Sequence, residues 1–212
     1  LFMALKGENN SAAWYTWEQD LKFRKPEALD AARARLANEI RFYCFVQYTF
    51  FKQWTALLAY AHSKGIEIIG DVPIYVPYDS VEVWTEPGLF QLDETLTPTA
   101  VAGCPPDAFS EDGQLWGNPL YNWTKMKKQN FAWWVRRMAA AGKLYDVIRL
   151  DHFRGFEAYW SVPYGDTTAK GGKWIKGPDM DFVNALRSQL PGIKFIAEDL
   201  GTLTQEVLDL RD

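Results

Sequence analysis

Apolar residues along the chain switch between helical and strand-like spacing, and this switching predicts the order of the elements. From residue 26 to about 64 they recur at helical intervals, which predicts two helices with a break near 47–49. Gly65 then supplies a C-terminal stop. The run IEIIGDVPIYV (66–76) is short, apolar and rich in β-branched residues. It predicts a buried strand that ends at or near Asp71.

The same order of helix and strand repeats twice more. A helical pattern from 124 to about 141 ends at Gly142 and precedes a predicted strand, YDVIRLDHF (145–153). A third helix over 179–189 precedes the predicted strand KFIAEDL (194–200). Strands that alternate with helices are typical of a parallel sheet with crossover helices. We therefore expect an α/β fold.

Two stretches lack this periodicity. Residues 77–130 are punctuated by proline and glycine, and residues 155–177 are rich in glycine. Long segments of this kind inside a compact domain are often lids or binding loops. We therefore expect little regular structure in either stretch, and a functional loop in the first.

Charged residues fall at the C-terminal end of each predicted strand. These are Asp71, then Arg149 with Asp151, then Glu198. The carboxyl ends of parallel strands meet at one edge, where such folds place their chemistry. Residues two apart on a strand share a face, so Arg149 can orient Asp151 and keep it ionised. Two carboxylates about 5–5.5 Å apart suit a retaining glycosidase.

A structural interpretation stays open beside this one. An Asp after a strand is often a cap or turn residue, an Arg-x-Asp pair is often a structural ion pair, and the acidic pair at 198–199 can cap the next helix. The two histidines, His62 and His152, have no cysteine or second histidine at ligand spacing, so we expect no metal site. His152, next to Asp151, has either a structural role or a hydrogen bond to a sugar hydroxyl.

Composition narrows the choice of partners. The chain has 212 residues, a net charge of -4 and 48% hydrophobic residues, as a globular protein with a core has. We expect no nucleic acid partner, because there is no basic block, and no membrane span. Two cysteines and no signal peptide indicate a cytoplasmic protein. The aromatic content of 16%, with 10 Trp, suits a protein that stacks rings on a flat ligand.

Four segments resemble those of one family. They are GDVPIYV (70–76), PPDAFSEDGQLWGNPLYNW (105–123), RLDHFRGF (149–156) and IAEDLG (196–201). They are similar to the signature segments of the 4-α-glucanotransferases, which are also called amylomaltases or disproportionating enzymes, of the α-amylase clan. The resemblance implies an elaborated (β/α)8 TIM barrel that requires no metal or cofactor.

The resemblance also implies roles for individual residues. Asp151 matches the catalytic nucleophile, Glu198 the general acid/base, and Arg149 the arginine that holds the nucleophile. The remaining matches are to substrate-binding positions: Asp71 in the donor sugar site, and Asp107, Phe109, Gln114 and Trp116 in the loop that folds over the glucan. Within that loop Cys104 and Ala108 depart from the family pattern, in which an aliphatic and an aromatic residue are expected.

The implied activity is transfer of α-1,4-glucan segments to glucose or a malto-oligosaccharide by retaining double displacement. The alternatives are an α-amylase-type hydrolase of the same clan and a non-catalytic glucan-binding protein. The family's third essential carboxylate and its first barrel strands have no counterpart here. We therefore expect residues 1–212 to be an internal part of a catalytic barrel, with about strands three to five, and 77–123 to form an insertion that covers the substrate. We expect the isolated segment to be inactive.

Overall fold

A computed structural model describes residues 1–200 and 203–212. The helices are α1 (Phe2–Glu8), α2 (Gln19–Lys22), α3 (Pro26–Arg35), α4 (Ala37–Ser63), α5 (Val81–Thr85), α6 (Trp123–Lys128), α7 (Ala132–Ala141), α8 (Asp179–Gln189) and α9 (Gln205–Arg211). The strands are β1 (Ile69–Pro73), β2 (Ala100–Cys104), β3 (Gln114–Pro119), β4 (Val147–Asp151), β5 (Ala158–Pro163), β6 (Lys173–Lys176) and β7 (Lys194–Ala197). Short 3-10 turns lie at Trp14–Thr16, Pro87–Leu89 and Phe153–Phe156.

The three predicted strands form one parallel sheet, in the order β1-β4-β7. Asp71 of β1 is paired with Arg149 of β4, and Arg149 is paired with Ile196 of β7. Crossovers that contain helices join these strands, so the expected α/β arrangement is confirmed. The register places the residues that carry charge at one end of neighbouring strands.

Residues 26–64 form two helices as predicted, but the break between them is not at 47–49. α4 runs without interruption through 47–49, a segment that contains no glycine or proline to end a helix. The two helices meet instead at Leu36, a residue buried in the core. Gly65 does follow the end of α4 with φ +71, the left-handed conformation that glycine adopts readily.

The helix predicted over 124–141 is also divided. α6 ends at Lys128 and α7 begins at Ala132, because Asn130 and Phe131 adopt positive φ angles of 49° and 52°. This backbone costs conformational energy in residues other than glycine. Phe131 is almost completely buried, so its side chain packs in the core at the point where the two helices are separated.

The expectation of little regular structure in 77–130 and 155–177 was wrong. These stretches contain α5, α6 and an antiparallel sheet with the order β3-β2-β5-β6. The pattern of apolar residues does not reveal this sheet, because β3 and β6 have no alternation of buried and exposed positions and glycine lies inside β2 and β3. Gly103 lies in β2 because a Cβ there would lie 2.4 Å from the carbonyl oxygen of Gln114 on β3.

An aromatic core supports the end of β4. Phe156, in the 3-10 turn after β4, stacks on Phe182 of α8 with ring centroids 4.3 Å apart. Trp134 of α7 meets both rings edge to face at 5.3 and 5.2 Å. All three side chains are fully buried. Such packing holds the segment that follows β4 in a single position.

α4 differs from the other helices because many of its large apolar side chains are exposed. They are Phe42, Phe45, Val46, Tyr48, Phe50, Phe51, Leu57 and Tyr60. Exposed apolar surface of this extent is typical of a helix that packs against other protein. Among the described helices, α4 included, none combines the length and the apolar character needed to cross a membrane.

Candidate active site

An arginine joins the ends of the parallel strands. The Arg149 guanidinium donates a hydrogen bond from Nη1 to Asp71 Oδ1 at 2.6 Å. The two residues are cross-strand partners in the β1-β4 register, so their side chains leave the same face side by side. The sheet itself therefore sets this contact.

The same guanidinium reaches two further carboxylates. Its Nη2 lies 3.1 Å from Glu198 Oε1 and 3.4 Å from Asp151 Oδ1. The Glu198 backbone N–H donates to the Leu150 carbonyl at 3.0 Å, which continues the β4-β7 ladder one residue past β7. Glu198 thus lies beside Asp151, and three acidic residues from three strands surround one arginine.

The two carboxyl groups at the centre are electrostatically coupled. Burial raises the pKa of Asp151, and the Glu198 charge and a hydrogen bond with the Glu198 side chain raise it further. Arg149 opposes this shift but does not reverse it, since its hydrogen bond goes to Asp71. Arg149, which we expected to orient Asp151 and keep it ionised, therefore contacts Asp71 and Glu198 as well. A hydrogen bond between two carboxyl groups requires one proton on the pair.

His152 connects this cluster to the loop above it. Its backbone N–H donates a hydrogen bond to Glu198 Oε2, and its φ of +51 turns the chain into the 3-10 turn. The imidazole is largely buried, and burial, with the nearby Arg154 charge, lowers the pKa of His152 to about 4. The ring is therefore neutral at neutral pH. It meets Trp116 edge to face, with centroids 4.8 Å apart.

A small cavity lies on the Asp151 side of His152. Its volume is about 190 Å³, and its lining includes Trp116, Asp151, His152, Tyr75 and Asn118. The Trp116 indole N–H donates to Gln114 Oε1 at 3.0 Å, which holds the ring against this cavity while 37% of the residue stays exposed.

A larger groove lies on the Glu198 side. Its volume is about 510 Å³, and it contains the predicted residues Asp107, Phe109, Gln114, His152 and Glu198. Phe109 is 98% exposed, although phenylalanine is among the residues most often buried. Asp71 lines neither this groove nor the smaller cavity, and its side chain is hydrogen-bonded to Arg149.

The loop over the groove is shaped by its own polar residues. Asp107 Oδ1 accepts hydrogen bonds from the backbone N–H groups of Phe109 and Ser110, both at 2.8 Å. This is an Asx turn, so Asp107 has a structural function in the loop whatever it contacts in a ligand. Burial raises the pKa of Cys104 to about 11, so the thiol stays protonated. Ala108 also lines the groove.

The structure adds residues that the sequence analysis missed. Tyr75 and Asn118 line the small cavity, and Arg154 and Trp174 line the groove. Arg154 and Asn118 lie inside the signature segments, and Trp174 follows a Gly-Gly-Lys stretch, which is the kind of context that singled out Trp116. Within residues 1–200 and 203–212, no group of three or more His, Cys, Asp or Glu is arranged to hold a metal ion.

Known proteins resemble the chain over its whole length. The profile of glycoside hydrolase family 77, described as 4-alpha-glucanotransferase, matches residues 1–212. The curated 4-alpha-glucanotransferases of Clostridium butyricum and Aquifex aeolicus are 53% and 52% identical over 212 residues. That alignment covers 100% of this chain but 44% of each relative, so the chain spans less than half of their length.

Solved structures agree with these matches. An amylomaltase from Streptococcus agalactiae in complex with acarbose superposes with a TM-score of 0.95 and 44% identity, over 99% of this chain and 42% of that one. An amylomaltase from Corynebacterium glutamicum, 22% identical, shares the fold with a TM-score of 0.75 over 99% of this chain and 28% of that one. The chain therefore belongs to glycoside hydrolase family 77, the 4-alpha-glucanotransferases.

Proposed function

We propose that the protein containing this chain transfers segments of α-1,4-glucan to glucose or to a malto-oligosaccharide. The observation that carries the proposal is the contact of one guanidinium with Asp151 and Glu198 at the ends of adjacent parallel strands. Such a pair can attack a sugar from one side and protonate its leaving group. Family membership and a carbohydrate-bound structural relative support this assignment.

The proposed reaction has two displacements. Asp151 attacks the anomeric carbon and forms a covalent glycosyl ester, while the bond from that carbon to the glycosidic oxygen breaks and Glu198 gives its proton to this oxygen. Glu198 then takes the proton of the acceptor 4-hydroxyl, whose oxygen attacks the anomeric carbon and releases Asp151. The configuration at the anomeric carbon is retained.

The proposed roles set a requirement on the protonation of the two carboxyl groups. The reaction needs one ionised and one protonated carboxyl at its start, and a coupled pair that shares a single proton supplies both. Burial and Glu198 raise the pKa of Asp151, which favours the proton on Asp151, so the proposed reaction requires this proton to be on Glu198 before Asp151 attacks. Arg149 lies close enough to both groups to stabilise the charge on whichever is ionised.

The loop over the groove accounts for transfer in preference to hydrolysis. Water competes with the acceptor sugar for the glycosyl ester, so a transferase must bind sugar well and limit access of water. We propose that the 77–123 insertion is this cover, with Asp107, Phe109, Gln114 and Trp116 against the glucan chain. Asp71 and His152 complete the proposed set of substrate-binding residues.

We also propose that the chain is a central part of an elaborated (β/α)8 barrel, with β1, β4 and β7 as about strands three to five. The relatives are more than twice as long as this chain, and they supply chain that can pair with the outer edges of the sheet. The exposed apolar face of α4 needs such a neighbour. The two cysteines, both free, support a cytoplasmic protein.

Incubation of the full-length protein with maltotriose tests the activity, with products separated by size. Two molecules of maltotriose give glucose and maltopentaose by transfer, and longer chains follow. Glucose and maltose alone would mean that water is the acceptor, and the function would be that of a hydrolase of the same clan.

Replacement of Asp151 tests the proposed nucleophile. In full-length protein D151N should lose at least about a thousandfold in turnover and retain glucan binding, because the amide cannot form the ester. D209N, which changes an exposed carboxylate on α9, is the matched control and should retain activity. Unchanged turnover in D151N would exclude Asp151 as the nucleophile. Binding with no turnover in the wild-type protein would indicate a glucan-binding function.

A further inference from the structure

A large aromatic side chain in the groove has no part in the chemistry described above. Trp174 on β6 lines the groove together with Glu198 and Phe109, and 42% of the residue is exposed. We propose that Trp174 is a stacking platform for a glucose ring of the acceptor chain. The proposal rests on the proposed function, which it extends from the reacting atoms to the selection of the acceptor.

Trp174 is held rigidly by its neighbours. It is the cross-strand partner of Trp160 on β5, and the two rings meet at 71° with centroids 5.3 Å apart. Trp160 is itself fixed, because its indole N–H donates to the Ala169 carbonyl at 2.8 Å. A rigid ring loses little conformational freedom when a ligand binds to it.

A second contact ties Trp174 to the catalytic strand. The guanidinium carbon of Arg154 lies 4.0 Å from the Trp174 ring centroid, within the range of a cation–π interaction. Arg154 is buried in the 3-10 turn that follows β4, three residues after Asp151. The indole is thus positioned relative to the carboxylates by packed structure on two sides.

The chemistry of the groove fits a chain of sugars. Glucose rings present C–H groups on their faces and hydroxyls at their edges, so a flat indole covers the face while polar groups meet the edge. Trp174 and the exposed ring of Phe109 supply apolar surface, and Asp107, Gln114 and Arg154 supply polar groups in the same groove. A glucan chain can contact the apolar rings with the faces of its sugars and the polar groups with its hydroxyls.

The positions of the two carboxylates indicate which part of the substrate Trp174 contacts. The small cavity contains Asp151, whereas the groove contains Glu198, and His152 lines both. Glu198 exchanges its proton with the leaving or acceptor oxygen, so the chain attached to that oxygen lies on the Glu198 side. Trp174 therefore contacts an acceptor ring, and glucose alone, which occupies only the position next to Glu198, does not reach it.

The first test compares acceptors in full-length protein with a fixed donor. W174A should raise the KM for maltotriose as acceptor about three- to tenfold, the effect expected for loss of one aromatic contact, and leave the KM for glucose unchanged. W174F should retain most of the affinity. Y164A removes an exposed aromatic ring outside the groove lining and should behave as wild type.

A second test separates this proposal from the proposed function. Titration of maltotetraose into D151N and into D151N/W174A by calorimetry measures binding without turnover, and thermal melts confirm that both proteins fold. A three- to tenfold weaker binding in the double variant supports the platform, whether the enzyme is a transferase or a hydrolase. Equal binding, or an equal rise in KM for glucose and maltotriose in W174A, would overturn it.

Discussion

Removal of the positive charge at Arg149 should move the acid limb of the pH–rate profile upward. In full-length protein the variant R149M takes away a guanidinium that lies 3.4 Å from Asp151 and 3.1 Å from Glu198. Asp151 already has a raised pKa because of burial and Glu198, and Arg149 is the group that opposes this shift. Without it, a higher pH is needed to ionise the nucleophile.

The expected size of this shift follows from Coulomb's law. Two unit charges 3.4 Å apart interact with about 1.2 kcal/mol in water and about 2.4 kcal/mol at an effective dielectric constant of about 40. The side chains of Arg149 and Asp151 are about one-third exposed, at 32% and 37%, so solvent screening keeps the interaction within this range. Division by 1.36 kcal/mol gives an upward shift of about 1–2 pH units.

The assay is the pH dependence of kcat/KM for disproportionation of maltotriose. The acid limb reports the apparent pKa of the coupled pair in the free enzyme. R149K keeps a charge, and its limb should stay within about half a unit of the wild type. Titration of the ¹³C-labelled carboxyl of Asp151 gives the same information for a variant with low activity. An acid limb that stays in place or moves to lower pH in R149M would refute the reasoning.

Three further predictions concern stability and protonation. D151N should raise Tm at neutral pH, since the raised pKa of Asp151 makes its ionised form destabilising, and the gain should decline as pH falls below that pKa and vanish below the ordinary Asp pKa of about 3.9. The His152 ring should stay neutral down to about pH 4 in an NMR titration, so folding stability that it contributes above pH 6.5 is lost between pH 6.5 and about 4. G70A should cost about 1–3 kcal/mol in urea unfolding, because its Cβ would lie 2.0 Å from the Tyr145 ring, while G192A, with no atom within 4 Å, should cost little. A D151N that melts below wild type, a His152 that titrates near 6.5, or equal stability of the two glycine variants would contradict these predictions in turn.

Several features of the candidate site were accessible from the sequence. Charged residues at strand ends are visible because a parallel strand is an apolar run whose last residues become polar, as in IRLD and FIAED. The spacing of Arg149 and Asp151 gives their common face, since side chains alternate along a strand. The signature segments also singled out four residues of the covering loop that line the groove or the small cavity: Asp107, Phe109, Gln114 and Trp116.

Other features depend on contacts between distant segments. The hydrogen bond from Arg149 goes to Asp71, 78 residues earlier, because the strand register pairs these two positions. The Asx turn of Asp107 and the position of Trp174 depend on an antiparallel sheet in which β3 and β6 show no alternation of buried and exposed residues. Nothing in the sequence around Arg154 shows that this arginine is buried rather than exposed to solvent.

The sequence by itself determined the alternation of helix and strand, the identity of the family and the residues that carry charge at the strand ends. Local patterns suffice for these, because periodicity and motifs are properties of neighbouring residues. Only the tertiary structure decided which charged groups lie next to each other. It places Arg149 beside three carboxylates, and it buries Asp151 beside Glu198, which raises the pKa of Asp151. It also divided the site into a cavity and a groove on either side of His152. Distances and burial arise from packing between segments that lie far apart in the chain, and no local pattern specifies them.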